Sequence, residues 1–184
     1  MRSSADENAR RPLLVLARKV DADRLLQSEI DMAMQSLMAA LPTVTVIRVA
    51  GVLAAVLAPS WSEHRHFQEE VVFPVVFRAR ARDGEFAEFV GRMGDEHCEI
   101  GEHQRELSVN LKQLANGSLV FGAGLRDLIE QTVALRRQHH AAENTLDLKL
   151  PSILDDASRA IIDRWIARQG GDPFPVNLIS KLWD

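Results

Sequence analysis

The chain contains no tyrosine and only one cysteine, Cys98. The first absence removes any chemistry that needs a phenol. The second rules out an internal disulfide and fits a reducing compartment, so a cytoplasmic location is expected. Strand signals are weak. No turn dipeptide stands between alternating apolar runs, which argues against a sheet. There is no Gly-x-Ser-x-Gly elbow, no phosphate loop and no Ser-His-Asp arrangement, so a hydrolase finds no support. An excess of basic charge is lacking as well. The net charge of -4 argues against a nucleic acid held through its phosphates. Long apolar runs are few. The most apolar, "VTVIRVAGVLAAVLA" at 44–58, carries Arg48 and falls short of the roughly 20 residues that span a bilayer. It reads as a buried helix, and no membrane partner is expected. "RPLLVLA" at 11–17 is soon followed by Arg18 and Lys19 and is too short for a signal peptide.

What is present is helical periodicity over 184 residues, enough chain for one domain with a sizeable core. One helix is expected from Asp21 to Leu41, closed by Pro42, and a second over about 43–58, interrupted by Pro59. "SWSE" at 60–63 has the form of a capping box and predicts a third helical segment from Trp61 to about Arg80. After Asp83-Gly84 comes the most regular stretch, Glu85 to Ala115. Phe86, Val90, Met93, His97, Ile100, Gln104, Leu107, Leu111 and Leu114 fall three or four apart, an unbroken inward stripe. Asn116-Gly117 ends it. Leu125, Leu128, Thr132, Leu135, His139, Ala142 and Leu146 predict another helix from Leu119 to Leu150, stopped by Pro151. A short helix at 153–169 and a tail with Pro173 and Pro175 follow. Long helices with short connections predict an all-α fold, an antiparallel four-helix bundle running up-down-up-down with extra short helices.

Six histidines, His64, His66, His97, His103, His139 and His140, all lie beyond the first third of the chain. His97 and His139 sit on inward stripes. A lone histidine there is ordinarily a hydrogen-bonded core residue. Two carboxylates strengthen a metal reading: Glu70 lies four residues after His66 and Glu143 four after His139. That spacing stacks both side chains on one helix face, where imidazole and carboxylate can share an ion. A buried, unpaired Glu143 would cost several kcal/mol or be forced to protonate. The competing reading puts Glu143 on a wet face beside Arg136 or Arg137. His103, His140 and Cys98 read as bystanders.

"HRHFQEEVVFP" (64–74), "DEHCEIGEHQREL" (95–107) and "HHAAENTLDLKLP" (139–151) resemble the second, third and fourth helices of hemerythrin-like (HHE cation-binding) proteins. The similarity covers about residues 21–170, leaving 1–20 as an N-terminal extension and 171–184 as a tail. The resemblance implies the antiparallel four-helix bundle and a non-haem iron centre in its core. That centre would be di-iron, with a single ion or another divalent metal as the alternative. His97, and His139 with Glu143, match the third and fourth helices. On the second helix, His66 and Glu70 match one form of the motif. Another register selects His64 and places Gln68 where a glutamate is expected. His64 and His66 lie about 200° apart around a helix, so only one faces inward, and the carboxylate favours His66 with Glu70. The first helix lacks its histidine. Glu29 stands nearest that position.

The resemblance thus implies a metal centre drawn from His64, His66, Glu70, His97, His139 and Glu143. It also implies a role in binding or sensing oxygen, nitric oxide or iron. The alternative is a degenerate, metal-free bundle acting as an interaction or regulatory module. No organic substrate is indicated; a binding role is expected, and peroxidase-like or oxygenase chemistry at a di-iron site stays open. A homodimer is left open, with Trp61, Trp165 and Trp183 either at an interface or capping the bundle ends.

Overall fold

A computed structural model describes residues 4–39, 44–80 and 83–169. Apart from short connections the described residues are helical, with no strand among them. The helices are α1 (Ser4–Ala39), α2 (Val44–Phe67), α3 (Phe73–Ala79), α4 (Gly84–Ala115), α5 (Ala123–Ile153) and α6 (Asp156–Gln169). A π-helical turn, Gln68–Val72, joins α2 to α3 without a break.

α4 follows its stripe. All nine residues from Phe86 to Leu114 named above are buried. Asp83 caps its start, its Oδ1 accepting from Phe86 N at 3.1 Å. Gly117, at φ 77°, closes its end in the left-handed region. α2 runs through Pro59 instead of breaking there. Proline removes only the bond to the carbonyl four residues back, on Ala55. Both residues are exposed, so water can take over that bond. Ser60 is therefore no cap. It lies inside the helix, its hydroxyl bonded to Leu57 O. Pro151 likewise sits within α5, which ends two residues later. The π turn also has a local cause. Pro74, one residue into α3, has no N–H to give Glu70, and Phe73 N reaches back five residues to Gln68 O.

The stretch read as an extension before residue 21 is the start of α1, where Leu16 is buried and Lys19 pairs with Glu63 at 3.3 Å. Leu41, Pro42 and the tail with Pro173, Pro175 and Trp183 lie outside the described residues. Without the break at Pro59, Val46–Ala79 is long and apolar enough to cross a membrane by length and composition. Half of its most apolar window is buried inside the fold.

The core is divided. One apolar cluster holds Ile30, Met34 and Leu37 of α1, Leu53 and Leu57 of α2, Leu107 and Leu111 of α4 and Ile129 of α5. The other holds Phe67, Val72 and Val76 with Met93, Leu146, Leu150 and Ile162. Each fully buried aliphatic side chain contributes about 1.5–3 kcal/mol. Between the clusters lies a buried polar layer: Gln27, Asp31, His64, Gln68, His97, Gln104, Thr132, Arg136, His139 and Glu143. So many buried polar groups at one level need partners.

Candidate metal centre

Three long helices each send one imidazole into this layer. α2 supplies His64, α4 supplies His97 and α5 supplies His139. They are buried, and one ring nitrogen from each lies within 4.8 Å of the others. One turn beyond His64, Gln68 reaches the same place. One turn beyond His139, Glu143 does too. Trp61 walls one side, with its ring stacked on His64 (centroids 4.9 Å) and its edge on His97 and His139. Its Nε1 donates to His97 O at 3.2 Å. Phe73 stacks on His97 from the π-turn side, the rings 8° from parallel.

The outer nitrogens settle how the rings are protonated. His97 Nδ1 lies 3.0 Å from Glu69 Oε1, His139 Nδ1 2.9 Å from Glu96 Oε2, and His64 Nδ1 2.6 Å from Asp23 Oδ2. An ionised carboxylate only accepts, so each Nδ1 carries the proton and donates it. In neutral His97 and His139, Nε2 is then a bare lone pair. Yet these two Nε2 atoms face each other at 3.1 Å, and Gln68 Oε1 stands 3.1 Å from His97 Nε2. Gln68 Nε2 is engaged with Glu143 Oε1. Turning the amide round would only set its oxygen against that carboxylate. Either way, acceptors confront acceptors in a dry place. His64 Nε2 lies 3.0 Å from Glu143 Oε1 and has no other partner. A cation among these atoms would satisfy all of them. The carboxylate behind each imidazole is the arrangement that orients and strengthens metal-binding histidines.

The electrostatics of the protein alone keep two of the three inner rings neutral and the third charged. Burial, then the nearby His139 and His64, pushes His97 down to about 2. Burial lowers His139 as well, and brings His140 to about 4. Burial works against a charged His64 too, but Glu143 and Asp23 together outweigh it and hold it at about 10. Glu143 is kept below the usual carboxylate range: burial would raise it, and His64 overcomes this.

These shifts fix how metal-free stability varies with pH. Below the ordinary value of 6.5, an unfolded chain takes up protons that folded His97, His139 and His140 refuse, so stability falls with acid. Asp147, which burial raises to about 6 despite Arg24, offsets part of that loss. Between 6.5 and about 10 folded His64 keeps a proton that the unfolded chain has released, so stability falls as pH rises. Thermal melts of chelated protein are expected to peak near pH 6.5. A melting temperature that climbs steadily toward pH 9 would contradict this assignment of charges.

The structure brings together His64, His97, His139 and Glu143. It does not bring in His66 and Glu70. Their side chains are 47% and 67% exposed, 3.2 Å from each other on the outside of α2. The inward register is the other one, with His64 and Gln68. The physical reason is phase: the buried stripe Leu53, Leu57, Trp61, His64, Gln68 passes unbroken through Pro59. His66→Ala and Glu70→Ala are therefore expected to leave metal content unchanged within error in elemental analysis.

Glu29 does not take the place of a first-helix histidine. Ile30 faces the core, and α1 reaches the cluster through Asp23. Trp61 is part of the site wall, not a bundle end. Cys98 is exposed. His103 bonds back to Glu99 O at 3.1 Å along its own helix, and His140 Nε2 lies 3.9 Å from Glu143 Oε2.

The sequence reading missed Asp23, Glu69 and Glu96 as partners of the imidazoles, and Arg136 as a core residue. Arg136 is fully buried. Its Nε donates to Asp31 Oδ1 at 2.5 Å and its Nη2 to Gln27 Oε1 at 2.7 Å. With its amide turned to satisfy both neighbours, Gln104 donates to Leu57 O and accepts from Arg136 Nη1 at 2.7 Å. A cavity of about 30 Å³ adjoins the cluster between α1, α2 and α5. His64, Gln68 and Glu143 line one part of it, and Leu16, Val20 and Phe67 another.

Compared with known proteins, the chain matches no family model, no curated protein and no solved structure.

Proposed function

We propose that the chain is a hemerythrin-like protein: an antiparallel bundle of α1, α2, α4 and α5 that holds non-haem iron for binding or sensing a small molecule. One observation carries the metal part. The facing Nε2 atoms of His97 and His139 and the amide oxygen of Gln68 are buried acceptors beside His64 and Glu143, and the carboxylates behind the two neutral rings leave no proton to pair them. A metal-free network would have to break the His97–Glu69 or His139–Glu96 contact to supply one, or charge an imidazole that burial keeps neutral. This weighs against the metal-free interaction module.

The donor set favours iron: imidazole nitrogens joined by a carboxylate and an amide oxygen suit iron and its neighbours among the divalent metals. The adjoining cavity gives a small ligand somewhere to stand. A water needs about 10–15 Å³, so it has room for about two waters or one diatomic molecule such as oxygen or nitric oxide. Bound iron would supply redox and ligand-binding chemistry. The chain's own part is to fix the imidazoles, exclude bulk water behind Trp61 and Phe73, and balance charge.

The test is reconstitution. Metal-free protein loaded anaerobically with ferrous iron and desalted should retain iron and, after oxidation, show a ferric charge-transfer band in the near ultraviolet. A chain that leaves the column free of iron under every loading condition would defeat the proposal.

A further inference from the structure

A di-iron centre needs more than this layer offers. Two ions in one site lie about 3.5–4 Å apart, share bridging ligands and each require several donors. Among the described residues, the histidine, cysteine and carboxylate donors gathered closely enough for an ion form one cluster: His64, His97 and His139, with Glu143 beside His64 and His139. Donors on opposite sides of a single ion stand about 4.2 Å apart. The three nitrogens lie within 4.8 Å of one another, and those of His97 and His139 already stand 3.1 Å apart, the spacing of neighbouring donors on one ion.

The negative charge of the layer is also already committed. Glu143 is the single carboxylate that touches the imidazoles' inner nitrogens, and Gln68, one turn from His64, brings a neutral amide. Asp23, Glu69 and Glu96 lie behind the rings on Nδ1. The other buried carboxylate, Asp31, is held by Arg136, whose guanidinium also bonds Gln27 and lies 5.9 Å over the Trp61 ring. Arg136 precedes His139 by one turn on the same helix. One turn from the cluster, Arg136 thus takes the carboxylate that a second ion would need.

We infer that the centre holds one divalent transition-metal ion, not two, with Arg136 keeping Asp31, the other buried carboxylate, for itself. The ion's ligands are His64, His97 and His139 through Nε2, Glu143 through Oε1 and Gln68 through its amide oxygen, with the remaining position open toward the cavity. This rests on the metal-binding reading above and refines it.

The full chain is stripped with a chelator, loaded with excess ferrous iron without oxygen, desalted, oxidised and measured twice. Elemental analysis gives the ratio of iron to chain, and electron paramagnetic resonance gives the spin state. The expected result is a ratio of one, with the low-field signal of an isolated high-spin ferric ion accounting for the bound metal. A ratio of two with a silent, coupled ferric pair overturns the single-ion inference and leaves metal binding intact. A ratio near zero overturns the metal reading and this inference with it. Loading with cobalt in parallel reports the ratio without oxidation, and two cobalt ions per chain would equally contradict it.

Discussion

Removing the His97 imidazole is expected to erase the thermal response of the protein to metal. A ligand that binds only the folded chain, at a thousandfold excess over its dissociation constant, stabilises by about 4 kcal/mol. For a chain of this size that amounts to a rise of roughly 8–16 °C in melting temperature. His97 stands at the centre of the cluster, its Nε2 against both His139 and Gln68. His97→Ala should melt at the same temperature with and without iron. The comparison is made within each variant, so the packing lost with a buried ring cancels. His139→Ala should behave alike. A variant without His97 that still gained several degrees on adding metal would place the ion elsewhere.

The second large effect concerns Arg136. Arg136→Met leaves Asp31 buried without its partner, which costs about 3–5 kcal/mol. The expected fall in melting temperature is roughly 6–20 °C. Adding Asp31→Leu should recover most of the loss, because two apolar side chains replace a pair whose desolvation cancelled much of its attraction. The double variant should still take up one ion, since none of the three histidines nor Glu143 is altered. Calorimetry of both variants, with metal analysis of the double, checks this. A single variant as stable as wild type would mean that the pair is not held dry. A second bound ion in the double variant, which gains no carboxylate, would contradict the single-ion inference.

The parts of the fold written in local pattern were legible. Every inward position expected on α4 is buried, because the stripe there runs without a break and ends in a plain capping signal. α5 was legible only in part. Leu135 and Ala142 were expected inward, but Arg136 and Glu143 hold the buried positions. The helical phase of Thr132, His139 and Leu146 allows either choice, and an apolar residue looks better than an arginine until the partner is known. Asp31 and Gln27 come from another helix, more than a hundred residues away in sequence. Asp23, Glu69 and Glu96 were hidden for the same reason: each meets a histidine on a different helix.

The choice of His66 over His64 has a different cause. Taking Pro59 as a break discarded the phase that α2 carries across it. With the helix continued, Leu57, Trp61, His64 and Gln68 form one stripe by spacing alone, and His66 falls off it. The preference for a carboxylate over an amide then misled, because the carboxylate needed on this side of the cluster comes from Glu143 on α5.

The most direct test of the account is anomalous X-ray scattering from crystals of iron-loaded protein, collected at the iron edge. One strong peak is expected among the Nε2 atoms of His64, His97 and His139, at bonding distance from each and from Glu143. A peak beside His66 and Glu70, or none within reach of the three buried imidazoles, would contradict it.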